Sequence, residues 1–244
     1  MDPTHKKFYE KKSKEFRKYK FDSFSEIVKG EKPNFPAILK KYSNKNFKVL
    51  DLGCGSGELT IEMAPYFKEI IGIDFCKEYI DSANKIKVPN VKFIIADASK
   101  LPFKDESFDM IYSSRGPLSS QEKILIESLR VLKKKGLLIE ETIGEKDKLE
   151  LKKIFGRGQN YPIKKAKLKS IKEMLSKNGV NLLISKYYSY KKMYPTIEDV
   201  IELLNHAPII PEFNEKKDKD KISKLKSKKE IILGFHRLIW VGKK

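Results

Sequence analysis

The chain has 244 residues, 40% of them apolar, which suits one soluble globular domain with a good core. Its two cysteines, Cys54 and Cys76, give neither a disulfide framework nor a metal spacing, so no metal is expected and a reducing cytoplasm is the expected compartment. The first residues lack the apolar core of a signal peptide, no stretch is apolar enough to span a bilayer, and the formal charge of +19 raises the question of a nucleic-acid partner.

Residues 4–19 are expected to be helical, with Phe8, Phe16 and Tyr19 near one face. Residues 21–42 read as helix and loop, broken by Pro33 and Pro36, so residues 1–46 form an N-terminal helical cap. The most informative stretch follows: VLDLGCGSG at 49–57, an apolar strand, then Gly53, Gly55 and Gly57, then a helical pattern from Glu58. Such a turn lets the backbone approach a ligand closely. The dinucleotide fingerprint wants a glycine three places after its second one, and Glu58 stands there instead. A pyrophosphate would meet Asp51 and Glu58 with no basic residue between them. A cationic, phosphate-free nucleoside such as S-adenosylmethionine suits the loop better.

The segment 69–74 reads as a second strand ending in Asp74, and 91–97 as a third closing on Asp97. Residues 108–113 look like strand four, and 129–140 like a helix end, a turn and strand five. Beyond them, 147–155 and 166–177 have helical spacing, and the polar loop 156–162 lies between. Residues 180–190 alternate as strand six, and 196–204 read as a helix capped by Thr196 with Glu198 and Asp199 in its first turn. Residues 208–213 form a rigid turn, 214–230 a charged connector, helical or mobile, and 231–241 the last strand.

With these motifs the chain resembles the class I S-adenosylmethionine-dependent methyltransferases, well over residues 47–142 and less so outside them. The resemblance implies an α/β fold: a Rossmann-like doubly wound sheet of about seven strands, the last antiparallel and paired between strands five and six. An N-terminal cap and insertions after strands five and six decorate it, the whole forming one domain: cap 1–46, cofactor-binding core 47–143, substrate side 144–244. It implies cofactor contacts from Asp51, Gly53, Cys54, Gly55, Gly57, Asp74, Phe75, Asp97, Ala98 and Ser113. In the family the acid at Asp74 bonds the ribose hydroxyls, Phe75 packs on adenine, and the acid at Asp97 bonds the adenine amino group.

Methyl transfer needs little beyond position, so no triad is required. Acceptor-side candidates are Ser114 and Arg115, in Ser-Ser-Arg-Gly-Pro at 113–117, where relatives that methylate amino nitrogens carry Asn-Pro-Pro-Tyr. Arg157 and Gln159 are substrate candidates in a loop too polar for core. Arg115, Tyr161 and His236 are the candidates for a catalytic group, although a strand histidine is more often structural.

The charge is uneven. Residues 47–143 hold 14 basic and 15 acidic residues, 1–20 hold 8 and 3, 144–177 hold 11 and 4, and 214–230 hold 8 and 4. The cations are 47 Lys and 5 Arg, interleaved with acids, which favours a solvated surface over a phosphate-reading one. The expected function is therefore methyl transfer to a small-molecule acceptor, possibly anionic. Alternatives are an RNA methyltransferase using the basic arm and insertion, a protein methyltransferase, and a non-catalytic S-adenosylmethionine-binding protein.

Overall fold

The computed structural model describes residues 25–226 and 230–244. The helix expected over 4–19 and the basic arm 1–20 lie outside the described residues, as does part of the 214–230 connector.

The chain runs β1 (Glu26–Gly30), α1 (Phe35–Lys41), β2 (Lys48–Leu52), α2 (Glu58–Met63), a short 3-10 turn, β3 (Glu69–Asp74), α3 (Lys77–Ala83) and β4 (Val91–Ile95). Next come β5 (Phe108–Ser114), α4 (Glu122–Val131), β6 (Leu132–Ile143), α5 (Leu149–Phe155), α6 (Lys167–Lys177), β7 (Asn181–Tyr194), α7 (Ile197–His206), α8 (Lys219–Lys226) and β8 (Ile231–Lys243). The strands form one eight-stranded sheet in the order β1-β7-β8-β6-β5-β2-β3-β4. Strands β2 to β6 pair in parallel. β8 lies antiparallel between β6 and β7, as the resemblance implied.

Alternation along the parallel strands makes two apolar faces. Leu50, Leu52, Ile71, Ile73, Ile111 and Leu138 meet α4 and α6 through Ile124, Leu125, Ile171 and Leu175. Val49, Ile70, Met110 and Ile139 meet α1 and the α2 region through Phe35, Leu39, Met63 and Phe67. Helices on both faces make the sheet doubly wound. The insertions after β6 and β7 bury a smaller cluster of their own, in which Leu151 and Phe155 of α5 pack with Val200, Leu203 and Leu204 of α7.

Two expectations need correction. The sheet has eight strands rather than about seven, because 21–42 is not only helix and loop: β1 pairs antiparallel with β7, Glu26 opposite Met193 and Gly30 opposite Tyr190. All five β1 residues are exposed, so among the described residues its backbone pairing is what holds it to the sheet. The third strand ends at Ile95, short of Asp97, where the chain turns on an Asp97 side-chain bond to the Ser99 N–H.

Candidate active site

After β4 the chain crosses to β5, beside β2. The strand order reverses there, and in such sheets a crevice opens at the C-terminal ends of the strands. The 53–57 loop lies at that crevice. The Gly53 and Cys54 N–H groups both donate to the Ile73 carbonyl at 2.9 Å, which ties the loop to the end of β3. Gly57 has φ +87, and a Cβ there would stand 2.5 Å from Phe93 Cζ, so only glycine fits. Gly55 has φ +55, and a Cβ there would meet no atom within 4 Å. It borders open space beside Asp74.

Asp74 closes β3 with its carboxylate turned back on the loop. Its Oδ2 accepts from the Gly55 N–H at 3.1 Å and its Oδ1 from the Cys76 N–H at 2.9 Å. Burial pushes its pKa up, and the N–H donors of Cys76, Gly55 and Phe75 work against that rise. Phe75 is half-buried next to it. The Ala96 N–H donates to the Asp74 carbonyl at 3.0 Å, which brings the segment carrying exposed Asp97 and half-buried Ala98 alongside.

Asp51 is buried under the loop, its Oδ2 accepting from Thr60 Oγ1 at 2.6 Å. In the β2–β5 register it lies opposite Tyr112, a fully buried residue whose hydroxyl acts on the Asp51 carboxyl. Burial raises the Asp51 pKa to about 7 despite Thr60 and Tyr112. Burial and the two neighbouring acids also hold the Cys54 thiol well above its usual range. The open glycine cradle has one buried acid, Asp51, beneath it and one half-buried acid, Asp74, beside it. These residues fit a ligand that brings positive charge and hydroxyl donors.

The loop after β5 forms the other wall. Ser113 is fully buried and its Oγ donates to the Leu52 carbonyl at 2.7 Å, so it fastens the two loops together. Ser114 is half-buried. Arg115 is exposed at φ +56, its N–H donating to the Glu141 carbonyl at 2.6 Å.

The loop candidates lie elsewhere. Arg157 Nη2 meets Asp218 Oδ2 at 2.8 Å and its Nε donates to the Pro211 carbonyl at 3.1 Å, while the Gln159 N–H donates to the Ile209 carbonyl at 3.1 Å. Half-buried Tyr161 donates its N–H to the Gly158 carbonyl at 3.1 Å. This loop is polar because its arginine ties the insertions together. His236 is buried, stacked on Tyr187 at 4.5 Å, and its Nδ1 accepts from the Lys146 N–H at 3.3 Å. Burial lowers its pKa, and in the neutral ring an accepting Nδ1 leaves the proton on Nε2.

Sequence reading missed Thr60 and Tyr112, the partners of Asp51. Thr60 follows Asp51 by nine residues on the inner face of α2, a spacing with no local signature. Tyr112 meets it only through strand pairing.

A model of the methyltransferase-domain family matches residues 43–230. The chain is 38% identical over 96 residues to the uncharacterized methyltransferase YcgJ of Bacillus subtilis, covering 36% of this chain and 38% of that one. It is 32% identical over 126 residues to the ubiquinone/menaquinone biosynthesis C-methyltransferase UbiE of Campylobacter jejuni, covering 48% and 53%. Against the demethylmenaquinone methyltransferase of Thermotoga maritima it is 40% identical over 97 residues, covering 38% and 42%. The chain thus spans about half or less of the length of these relatives. The crystal structure of YcgJ superposes with a TM-score of 0.64 at 20% identity, covering 86% of this chain and 97% of that one. At that identity the likeness is one of fold.

Proposed function

The chain belongs to the methyltransferase-domain family, and on that premise we propose that it is an S-adenosylmethionine-dependent methyltransferase acting on a small-molecule acceptor. The observation that carries the reading is the open cradle at Gly55, floored by Asp74 and underlain by Asp51. In this reading Asp74 takes the ribose hydroxyls with the lone pairs left over from its two backbone bonds. Phe75 and Ala98 flank the adenine and Asp97 its amino group. Gly53, Cys54, Gly55 and Gly57 line the backbone approach, and Asp51 supplies negative charge beneath it. Ser113 fixes the floor of the crevice rather than touching the ligand.

The cofactor supplies a methyl group already activated on a sulfonium. The protein's part is to hold the acceptor in line with it and keep both still, a contribution of roughly 7–11 kcal/mol in well-oriented reactions. A base would add about 10²–10⁴-fold, and only for an acceptor that carries a proton. His236 Nδ1 cannot serve, since the Lys146 N–H occupies it. Arg115, exposed at the end of β5, is the candidate left to orient an acceptor. The small-molecule reading is supported by the quinone-pathway names of two relatives and by a near-neutral core, 14 basic against 15 acidic residues over 47–143.

The test is calorimetry with S-adenosylhomocysteine. Asp74→Ala should weaken binding by about 1.5–3 kcal/mol, the range for hydrogen bonds to a charged group, or roughly ten- to hundredfold. Unchanged affinity would remove Asp74 from the site, and tight nicotinamide-cofactor binding by the wild type would overturn the assignment.

A further inference from the structure

On the face of the sheet that carries Asp51, two apolar clusters leave a strip between them. Ile139, Ile239 and Val241 belong to the cluster against α1 and α2. Phe235 and Tyr190 belong to the one against α5 and α7. Strand register orders what lies between. Asp51 pairs with Tyr112, Tyr112 with Ile139, and Ile139 with Val241. Two residues on, toward the C-terminal strand ends, the row is Ser114, Glu141 and Ile239. Two further on, Ile143 faces Arg237, which faces Tyr188. Residues two apart on a strand share a face, so these rows lie on the Asp51 side. Ser114, Glu141, Ile143 and Tyr188 are each only half-buried, although strands flank them. The strip is therefore open to solvent, at the same strand ends as the 53–57 loop.

Tyr190 overhangs this strip. Its ring stacks on Phe235 at 4.9 Å, and the residue is 5% exposed. The Arg237 guanidinium lies 5.4 Å from the centre of the same Phe235 ring. Arg237 Nε stands 3.8 Å from Glu141 Oε1, and the Glu141 carbonyl takes the Arg115 N–H at 2.6 Å. These contacts lead from Tyr190 to the Ser114–Arg115 turn. The buried ions along them are matched, since Asp147 accepts from both Lys148 and Arg237. The Tyr190 hydroxyl is not matched. It makes no hydrogen bond among the described residues, and it is not one of the side-chain oxygens sealed from solvent. A packed ring with a reachable hydroxyl is a polar handle at the edge of an apolar body. Burial raises its pKa to about 12, although Arg237 and Arg115 oppose the rise. The hydroxyl therefore keeps its proton and is a donor. Arg115, exposed at the other side of the strip, makes no ion pair among the described residues.

We propose that the Tyr190 hydroxyl and the Arg115 guanidinium together hold an oxygen of the methyl acceptor, one that carries negative charge in the reactive form, such as a phenolate or an enolate. Tyr190 donates the hydrogen bond and Arg115 supplies charge across the strip. The acceptor then lies over the Ser114–Glu141 row, next to the cofactor loop. Tyr190 serves as a specificity residue and not as a base, because its own proton is held. This deepens the methyltransferase reading and rests on it for the identity of the ligand as acceptor.

The probe is para-nitrophenol, at a pH where it is ionised, added to the full chain saturated with S-adenosylhomocysteine. A hydrogen bond to the phenolate oxygen moves the probe's visible absorption to shorter wavelength, so the band reports the contact itself. Saturable binding with that shift is expected. Tyr190→Phe keeps the ring and its stack on Phe235. It should weaken the probe by about tenfold or more, as for a hydrogen bond to a charged group, remove the shift, and leave S-adenosylhomocysteine affinity unchanged. Arg115→Gln should weaken the probe as well. A wild-type crystal soaked in para-iodophenol should show the iodine's anomalous density over the Ser114–Glu141 row, with the phenol oxygen in reach of Tyr190 Oη. That result does not depend on a variant folding. No saturable binding, an equal affinity and band in Tyr190→Phe, or iodophenol seated elsewhere overturns the proposal. If S-adenosylhomocysteine binds while the probe does not, this inference alone fails. If the probe binds and S-adenosylhomocysteine does not, the methyltransferase reading fails and takes the acceptor assignment with it.

Discussion

Asp51 carries a pH dependence of the same sense as that of Asp74, since burial raises both carboxyls. Its carboxyl has a pKa of about 7 when folded, against 3.8 unperturbed, because burial outweighs the Thr60 bond. Below about pH 4 both states hold the proton and the group contributes nothing differential. Between there and pH 7 the unfolded chain ionises while the folded one stays protonated, so stability from this group falls as pH rises, and above 7 it falls no further. The loss is on the order of 4 kcal/mol at 1.36 kcal/mol per pKa unit. Asp147 works in the opposite sense: its folded pKa is depressed, so its contribution is present above the unfolded value and fades as pH drops. Asp51→Asn should therefore gain melting temperature over the wild type as pH is raised from 5 to 8. A constant difference across that range would mean that Asp51 is ionised throughout. A cationic ligand would lower the Asp51 pKa, so S-adenosylmethionine binding near pH 7 should release a proton, read as a dependence of binding heat on the buffer's ionisation heat and absent in Asp51→Asn. Asp51 and Asp74 were legible in the sequence because the loop that uses them is local, a strand end and a glycine turn. Lys152 and Arg237 were not. Arg237 meets its partner Asp147 only through the fold, 90 residues away, and in the sequence both cations are unmarked members of a Lys-rich chain.

Elements were legible where a local pattern decides them. The parallel strands are short apolar runs ended by acids or turns, and α7 announces itself by its cap. Thr196 Oγ1 accepts from the Asp199 N–H at 3.2 Å while Asp199 Oδ2 accepts from the Thr196 N–H at 2.9 Å. This reciprocal pair satisfies two donors that the helix cannot. Thr196→Ala should cost about 1 kcal/mol, or roughly 2–4 °C in a domain of this size, with S-adenosylhomocysteine affinity unchanged. A loss of cofactor affinity would show that α7 reports to the crevice. β1 was not legible, since Glu-Ile-Val-Lys-Gly buries nothing and exists as a strand only because β7 offers a free edge. The 156–162 loop was misleading for a related reason. Its arginine faces Asp218, 61 residues on, and a polar loop that bridges two insertions reads in sequence like one that greets a substrate. Arg157→Ala should lower the melting temperature and leave cofactor affinity intact. An equal cofactor affinity with a weaker acceptor and an unchanged melting temperature would return Arg157 to the acceptor site.

At the scale of the whole molecule the charge of +19 remains to be placed. The insertion over 144–177 holds 11 basic residues, but the structure removes several from solvent duty. Lys148 and Lys152 are buried, Arg157 pairs with Asp218, Lys165 with Glu173, and Lys177 with Glu122. Lys146, Lys153, Lys164, Lys169 and Lys172 are left exposed without an ion pair among the described residues. A nucleic acid reading this face would neutralise about four phosphates. Counterion release then gives a log–log slope near −2.8 on single strands, a loss of roughly 50-fold between 50 and 200 mM salt. Such binding is steep in salt and blind to sequence, because lysines give point charge without the bidentate fork that reads bases. The expected result is weak association with any RNA at low salt, fading at physiological salt, with Lys164→Glu and Lys169→Glu flattening the slope by about one unit or more together. A saturable, low-micromolar complex with one defined RNA at physiological salt, lost in those variants, would move the acceptor from a small molecule to RNA.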